Sequence, residues 1–160
     1  MRNDPSRLAE LQRLAVLDSS PERAFDDITR LLSTALAVPI TMVNLLDTDR
    51  DWFMSRVGIQ QSQSPAASSI CEVFFNSGSD LIVVENTLLD ERFRNHGLVT
   101  GPPNIRFYAA ARLVVNGQTV GTLCAYDMQA RQLSVQQLEQ LRAMAAAVVE
   151  LLHRRGLSSP

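Results

Sequence analysis

The chain has 160 residues, enough for one domain with a complete hydrophobic core, and its 46% apolar and 20% charged residues are typical of globular proteins. A net charge of −2 gives no electrostatic support for a nucleic acid or an anionic membrane surface as a partner. All fifteen cationic side chains are arginines, which excludes Schiff-base chemistry, a lysine-bound pyridoxal cofactor and a Walker phosphate loop, because each needs a lysine amine.

Targeting and metal-binding patterns give no positive signal. The polar N-terminus lacks the apolar region of a signal peptide, and no apolar run approaches the roughly 20 residues of a bilayer span, so we expect a cytoplasmic protein without membrane contact. Cys71 and Cys124 are too few for a structural zinc site, and neither His96 nor His153 lies at ligand spacing from them. We therefore expect no metal and no cofactor.

The first part of the chain predicts two amphipathic helices. The first begins at Asp4-Pro5, because Pro suits the first helical turn. Its apolar face consists of Leu8, Leu11, Leu14 and Ala15. The second follows the Ser-Ser-Pro-Glu segment at 19–22 and ends near Pro39. Its apolar stripe consists of Phe25, Ile28, Leu32, Ala35 and Leu36.

The middle of the chain predicts strands separated by loops. Residues 40–47 are apolar and β-branched, which favours a buried strand, and residues 51–58 return as a second strand after a turn at 48–50. Residues 59–68 are polar and contain Pro65, so they predict a loop.

The next part of the chain mixes short elements with irregular stretches. Residues 68–78 predict a short helix, and residues 81–86 predict a short strand. Residues 87–103 are irregular, with one helical turn around residues 90–93.

Residues 106–127 predict a β-hairpin around Asn116-Gly117, because a type I′ turn needs positive φ at both central residues. A two-residue loop places Val115 opposite Gln118. One face then carries Phe107, Ala109, Ala111 and Leu113 against Val120, Thr122, Cys124 and Tyr126. The other carries Arg106, Tyr108, Ala110, Arg112 and Val114 against Thr119, Gly121, Leu123, Ala125 and Asp127. Arg106 either pairs with Asp127 or helps to floor a ligand-binding cleft.

A long helix follows, capped reciprocally by Ser134 and Gln137 and running to about His153, with residues 154–160 as a polar tail. Its apolar seam consists of Leu138, Leu141, Ala145, Val148 and Leu152. We expect a homodimer through the terminal helices; the alternative is that the first helix of the same chain covers this seam. The order of elements indicates an α+β fold, with long terminal helices on one face of an antiparallel sheet and short helices and loops on the other.

Several stretches, in this order, carry a family resemblance: LDSSPERAFDDITRLLSTALAVPITMVNLLDTDRDWFMSRVG, SSICEVFF, VVENTLLDERF with LVTGPPNIRFYAAARL, and NGQTVGTLCAYD. With them the chain resembles a GAF domain, a module of bacterial signalling proteins that binds small molecules and dimerises. It is most similar to the subfamily at the N-termini of sensor kinases and diguanylate cyclases. The resemblance implies one domain over residues 1–160, with a core from about 8 to 153 and a sheet of about six strands.

The resemblance also implies a ligand cavity between the sheet and the middle segments. By position, its lining residues are Phe53, Ser55, Ile70, Cys71, Phe74, Asp90, Phe93, Arg106, Tyr108 and Ala110. Three activities of the family lack their motifs here. The cyclic-nucleotide pattern includes a lysine, bilin binding often uses an adjacent cysteine and histidine, and free methionine sulfoxide reductases use a cluster of cysteines.

The expected function is a non-enzymatic sensory module, without catalytic residues, that binds a small polar or anionic molecule and signals through its helices. One alternative is a thiol-based reductase of the free methionine sulfoxide type, with Cys71 and Cys124 as a redox pair rather than two buried hydrophobes. Glu72 would raise the thiol pKa of Cys71, which disfavours that alternative. A second alternative is a ligand-free interaction domain. The chain either acts on a signalling partner in trans or is the sensory part of a longer protein.

Overall fold

The computed structural model describes residues 1–158 and shows an α+β fold built on one antiparallel six-stranded sheet. The strands are β1 (Ile40–Leu46), β2 (Arg50–Val57), β3 (Gln63–Pro65), β4 (Leu81–Val84), β5 (Phe107–Val115) and β6 (Gln118–Asp127). The helices are α1 (Pro5–Leu14), α2 (Arg23–Leu36), α3 (Gly97–Thr100) and α4 (Val135–Ser158). The strand order β3-β2-β1-β6-β5-β4 puts the two long hairpins side by side, and the predicted fold class is confirmed.

Three long helices cover one face of the sheet. The apolar stripes of α1, α2 and α4 bury Leu14, Leu32 and Leu152 completely, against Phe107 and Leu113 of β5. Each buried leucine of this kind contributes about 1.5–3 kcal/mol relative to an exposed one. Helix α1 ends at Ala15, whose φ of 53° is left-handed. Ala15 is therefore exposed beyond the helix rather than on its apolar face.

Helix α4 begins with the predicted capping box, since Gln137 N donates to Ser134 Oγ at 3.1 Å and Ser134 N donates to Gln137 Oε1 at 2.9 Å. The helix continues to Ser158, beyond the predicted end at His153. Ser159 and Pro160, the end of the predicted tail, lie outside the described residues. The seam of α4 is largely buried inside the protomer, mainly against β5 and α2 and to a smaller extent against α1.

The opposite face of the sheet is covered by short segments. These are the 3₁₀ helices Ala66–Ser68, Ile70–Asn76 and Thr87–Leu89, together with α3. A second apolar cluster lies beneath them, centred on the fully buried side chains of Phe74, Phe93 and Tyr108. Within residues 1–158, no helix is both long enough and apolar enough to cross a membrane.

The β5–β6 hairpin turns at Asn116 and Gly117, which have φ values of 49° and 77°, so the predicted type I′ conformation is confirmed. The predicted register is wrong beyond the turn, because the pairing shifts by one residue between Leu113 and Val114. Such a bulge moves every later side chain of one strand to the other face. Tyr126 therefore lies opposite Tyr108, and Asp127 lies opposite Phe107 instead of Arg106.

Strand β3 lies within the segment predicted to be a loop. Its residues pair with the start of β2, where Gln63 lies opposite Trp52 and Pro65 opposite Arg50. Pro is tolerated there because β3 is an edge strand. A polar three-residue strand has no apolar alternation, so the sequence pattern carried no signal for it.

Candidate functional site

A cavity of about 180 Å³ lies between the sheet and the segments that follow β2 and precede β5. Its walls are mainly apolar, from side chains that include Ile40, Met42, Phe53, Ile70, Leu98 and Tyr126. Exposed Gln61 and Gln63 stand at its rim. Apolar walls with a few polar groups are the usual composition of small-molecule sites.

The buried polar end of the cavity is formed by Asn44, Asp51 and Ser69. Asn44 Nδ2 donates to Asp51 Oδ2 at 2.9 Å, and Ser69 Oγ donates to the same oxygen. An ionised carboxylate only accepts hydrogen bonds, so the amide group of Asn44 must face Asp51 with its nitrogen. Asn44 Oδ1, in a residue with 1% of its surface exposed, has no hydrogen-bond partner among the described residues.

Asp51 also forms an ion pair with Arg2, which is 6% exposed. Arg2 Nη2 lies 3.0 Å from Asp51 Oδ1, without hydrogen-bond geometry. Arg2 Nε donates to Glu72 Oε2, and Arg2 Nη1 donates to the carbonyl oxygen of Asp47, both at 2.8 Å. The chain before α1 is thereby tied to the polar end of the cavity.

Arg7 supports this arrangement from α1. Its Nε donates to the carbonyl oxygen of Arg2 at 2.9 Å. The guanidinium groups of Arg7 and Arg2 both lie over the ring of Phe75, 5.1 Å and 5.5 Å from its centre, respectively. Burial and the neighbouring charge of Arg2 lower the pKa of Arg7 to about 10, so the group stays cationic at neutral pH.

The two cysteines meet in the apolar cluster beside the cavity. Cys71 Sγ lies 3.1 Å from Tyr108 Oη and 3.2 Å from Thr122 Oγ1, with Tyr126 Oη at 3.7 Å. Burial opposes ionisation of Cys71, but hydrogen bonds from the neighbouring thiol and hydroxyls lower its pKa to about 7. Burial, together with the hydrogen bond to Cys71, raises the pKa of Cys124 well above its usual range.

The lowered pKa of Cys71 differs from the expectation that the neighbouring Glu72 would raise it. The carboxylate of Glu72 pairs with Arg2 instead. The three hydroxyls reach the sulfur because the bulge in the hairpin brings Thr122 and Tyr126 to the same face as Tyr108. Both cysteines are fully buried, and neither lines the cavity.

The ten sequence-predicted lining residues occupy four kinds of position. Phe53 and Ile70 line the cavity itself. Five lie buried in the surrounding apolar cluster: Cys71, Phe74, Phe93, Tyr108 and Ala110. Ser55 lies on the helix-covered face, where its hydroxyl bonds to Thr29 Oγ1 at 2.8 Å and to Asp26.

The remaining two predicted residues bond to other parts of the protein. Asp90 pairs with Arg92, with Asp90 Oδ2 2.8 Å from Arg92 Nη2. Arg106 Nη1 donates to the carbonyl oxygen of Val99 at 2.9 Å, and the carboxylate of Asp127 pairs with Arg131 instead of Arg106.

Arg112, the other unusual cation of β5, fastens the end of the Ile70–Asn76 helix to the sheet. Its Nη2 donates to the carbonyl oxygens of Ser77 at 2.7 Å and Ser79 at 2.8 Å, and its guanidinium lies 5.5 Å from the ring centre of Phe74. Its role here is structural.

Sequence reasoning missed Arg2, Asn44, Asp51 and Ser69. The amide of Asn44 inside a largely apolar buried strand was the available signal, because a buried polar group needs a partner. Arg2 gave no local signal, since its partners lie 45 to 70 residues away. Within the described part of the chain, no group of three or more His, Cys, Asp or Glu side chains could hold a metal ion.

The sequence of this chain matches one protein family. The sequence profile described as GAF domain matches residues 20–151. A cyclic di-GMP phosphodiesterase of Pseudomonas aeruginosa is 31% identical over 153 residues, which cover 94% of this chain and 26% of that protein. The chain thus spans about a quarter of the length of this relative.

Two solved structures show the same fold at low identity. The GAF domain of an Acinetobacter phosphoenolpyruvate-protein phosphotransferase has a TM-score of 0.70 and 15% identity, with 98% of each chain covered. A free methionine-R-sulfoxide reductase of Neisseria meningitidis, solved with its substrate, has a TM-score of 0.65 and 15% identity, covering 92% of this chain and 87% of that one.

Proposed function

The chain belongs to the GAF domain family, and from that premise we propose that it is a non-enzymatic sensory module that binds a small molecule in the cavity beside Asn44. The observation that carries the proposal is the cavity itself, about 180 Å³ with mainly apolar walls and one buried polar end. The relative with cyclic di-GMP phosphodiesterase activity supports a place among signalling proteins.

The contacts of Asp51 provide a route from the cavity to the terminal segments. Asp51 contacts Asn44 and Ser69 on the cavity side and Arg2 on the other side. Arg7 connects Arg2 to α1, which packs against α4. A ligand that bonds differently to two arrangements of this network would shift the population between them, and a signalling partner would respond to that shift.

A substitution that fills the cavity tests whether the ligand binds there. Leu98 is half-buried at the cavity wall, and Leu98→Trp fills space that a ligand needs. Leu31→Trp makes the same change on the exposed surface of α2. We expect thermal shifts caused by members of a metabolite panel to occur in the wild-type protein and Leu31→Trp but to disappear in Leu98→Trp. Equal shifts in both variants would place binding elsewhere and reject the proposal.

The presence of both cysteines in the second apolar cluster favours a second candidate, a thiol-based reductase. Two thiols would supply two electrons, so that a sulfoxide becomes a thioether, its oxygen leaves as water and Cys71 and Cys124 form a disulfide. Against this candidate, both thiols are fully buried. Assay of free methionine-R-sulfoxide reduction with dithiothreitol tests it, with Cys71→Ser as the control. Turnover that depends on Cys71 would establish the enzyme and reject the non-enzymatic module.

A further inference from the structure

The side chains at the polar end of the cavity bond to one another. Asp51 Oδ2 accepts hydrogen bonds from Asn44 Nδ2 at 2.9 Å and from Ser69 Oγ. Asn44 Oδ1 and Asp51 Oδ1 are fully buried, so a molecule in the cavity cannot reach either oxygen. The polar end therefore does not require a polar group from a ligand.

The cavity also has no charge available to a ligand. Among the described residues that line it, only Asp51 has an acidic or basic side chain, and this carboxylate lies 3.0 Å from the guanidinium of Arg2. An anion would find no counter-charge on the walls, and a cation would compete with Arg2 for a carboxylate that is already paired. Because burying an unpaired charge is strongly unfavourable, the walls select against ligands of either sign.

The rest of the lining is apolar surface. Phe53 and Ile70 are buried residues of the wall, and Leu98 is half-buried there. Tyr126 lines the same wall, but its hydroxyl lies 3.7 Å from Sγ of Cys71, a residue that does not line the cavity. Tyr126 therefore contributes mainly its ring, and removal of apolar surface from water is the main source of binding free energy.

The volume limits the ligand to one ring. An apolar cavity of about 150 Å³ accommodates benzene, so about 180 Å³ admits a single ring with one or two small substituents. A nucleotide or a bilin, which has several rings, exceeds this volume.

From these features we infer that the cavity takes an electrically neutral, apolar molecule with a single ring, such as a substituted benzene, and binds it by burying its surface against Phe53, Ile70 and Tyr126. The inference rests on the proposed function, because it names the class of molecule that the same cavity takes. It departs from the polar or anionic ligand expected from the sequence.

Three probes with the same ring test the charge of the ligand. Toluene is neutral, benzoate is an anion and benzylamine is a cation at neutral pH. Dissociation constants are measured by ligand-observed NMR on the full chain. We expect toluene to bind at least about tenfold more tightly than either charged probe, because each charge loses hydration without gaining a partner.

Two conservative substitutions test whether the probe lies in the cavity. Ile70→Val removes one methylene from the wall and should raise the affinity for ethylbenzene relative to toluene by up to about fourfold, the effect of burying one methylene. Ile82→Val is the matched control, because Ile82 is buried in the same apolar cluster but does not line the cavity. Circular dichroism checks the folding of both variants.

The wild-type protein supplies an independent readout. Toluene should shift the methyl resonances of Ile70 and leave those of Leu32, which is buried on the helix-covered face, nearly unchanged. Shifts at Leu32 without shifts at Ile70, or equal changes of preference in Ile70→Val and Ile82→Val, would place the probe elsewhere and overturn the inference.

The outcomes separate the inferred ligand class from the proposed function. Binding of benzoate or benzylamine as tight as that of toluene overturns the neutral class but leaves the cavity as a binding site. Failure of toluene to bind the wild-type protein also overturns the inferred class. The proposed function is decided separately by the Leu98→Trp and Leu31→Trp comparison.

Discussion

Arg2 Nη2 lies 3.0 Å from Asp51 Oδ1, so the second residue of the chain is ion-paired to a carboxylate that lines the cavity. Both side chains are at least nine-tenths buried, and the two residues lie on elements remote in sequence. The segment before α1 therefore contributes a residue to the polar end of the cavity.

Removal of this guanidinium should destabilise the fold. Arg2→Ala leaves Asp51 buried without its counter-charge, and we expect a loss of about 3 kcal/mol in the free energy of unfolding. Arg30→Ala is the control, because the Arg30–Asp27 pair is exposed and should contribute less than about 1 kcal/mol. Urea denaturation of both variants measures the difference. Similar losses in the two variants would contradict the structural role of Arg2.

The turn of the β5–β6 hairpin predicts unequal effects of two glycine substitutions. A Cβ at Gly117 or at Gly78 would meet nothing within 4 Å, but only Gly117 has a positive φ, 77°. Gly117→Ala should therefore lower the free energy of unfolding by about 1–2 kcal/mol, the cost of left-handed backbone in a residue with a side chain. Gly78→Ala should be neutral or slightly stabilising. Thermal denaturation compares them, and equal effects would rule out backbone strain as the cause.

The cysteine pair predicts a pH dependence of stability. The pKa of Cys71 is about 7 in the folded chain, below the ordinary value of 9.0 expected after unfolding. Between pH 7 and 8 the unfolded chain therefore binds more protons at this residue, and stability should rise with pH. Conversely, the contribution of Cys71 to the free energy of unfolding should be lost as pH drops through 7.

Cys71→Ser should flatten that rise relative to the wild-type protein in urea denaturation at a series of pH values. The ¹³Cβ resonances of the two cysteines provide a direct titration, in which Cys71 should ionise well before Cys124. If Cys124 ionises first, or if the two slopes agree, the hydroxyl cluster does not stabilise a thiolate at Cys71.

Dimerisation through the terminal helices stays a prediction, and the structure changes which surface it would use. The seam of α4 is covered within the protomer, whereas Ala143 and Ala147 are exposed on its outer face and allow a second helix to approach closely. We expect light scattering at micromolar concentration to give a dimer, and Ala143→Arg to give a monomer. Ala67→Arg, on the opposite side of the sheet, should remain dimeric. A monomeric wild-type protein would end this prediction.

The β5–β6 hairpin shows how far sequence reasoning reached. Asn116-Gly117 determines the turn, and alternation correctly sorted Tyr108 and Ala110 from Phe107 and Ala109 along β5. The faces of β6 came out reversed, because the bulge near Leu113 is a property of the pairing between two strands. No periodicity within one strand reveals it.

The sequence by itself determined most element types and the fold class, since these depend on local patterns such as apolar periodicity, helix caps and turn residues. The family followed from the resemblance of whole stretches of sequence. Only the tertiary structure decided the candidate site. The ion pair of Arg2 with Asp51, the free acceptor of Asn44 and the hydroxyls around Cys71 each join residues that are distant in the chain. Their meeting depends on strand register and on the path of the covering segments, and a shift of one residue would place the same side chains on the opposite face.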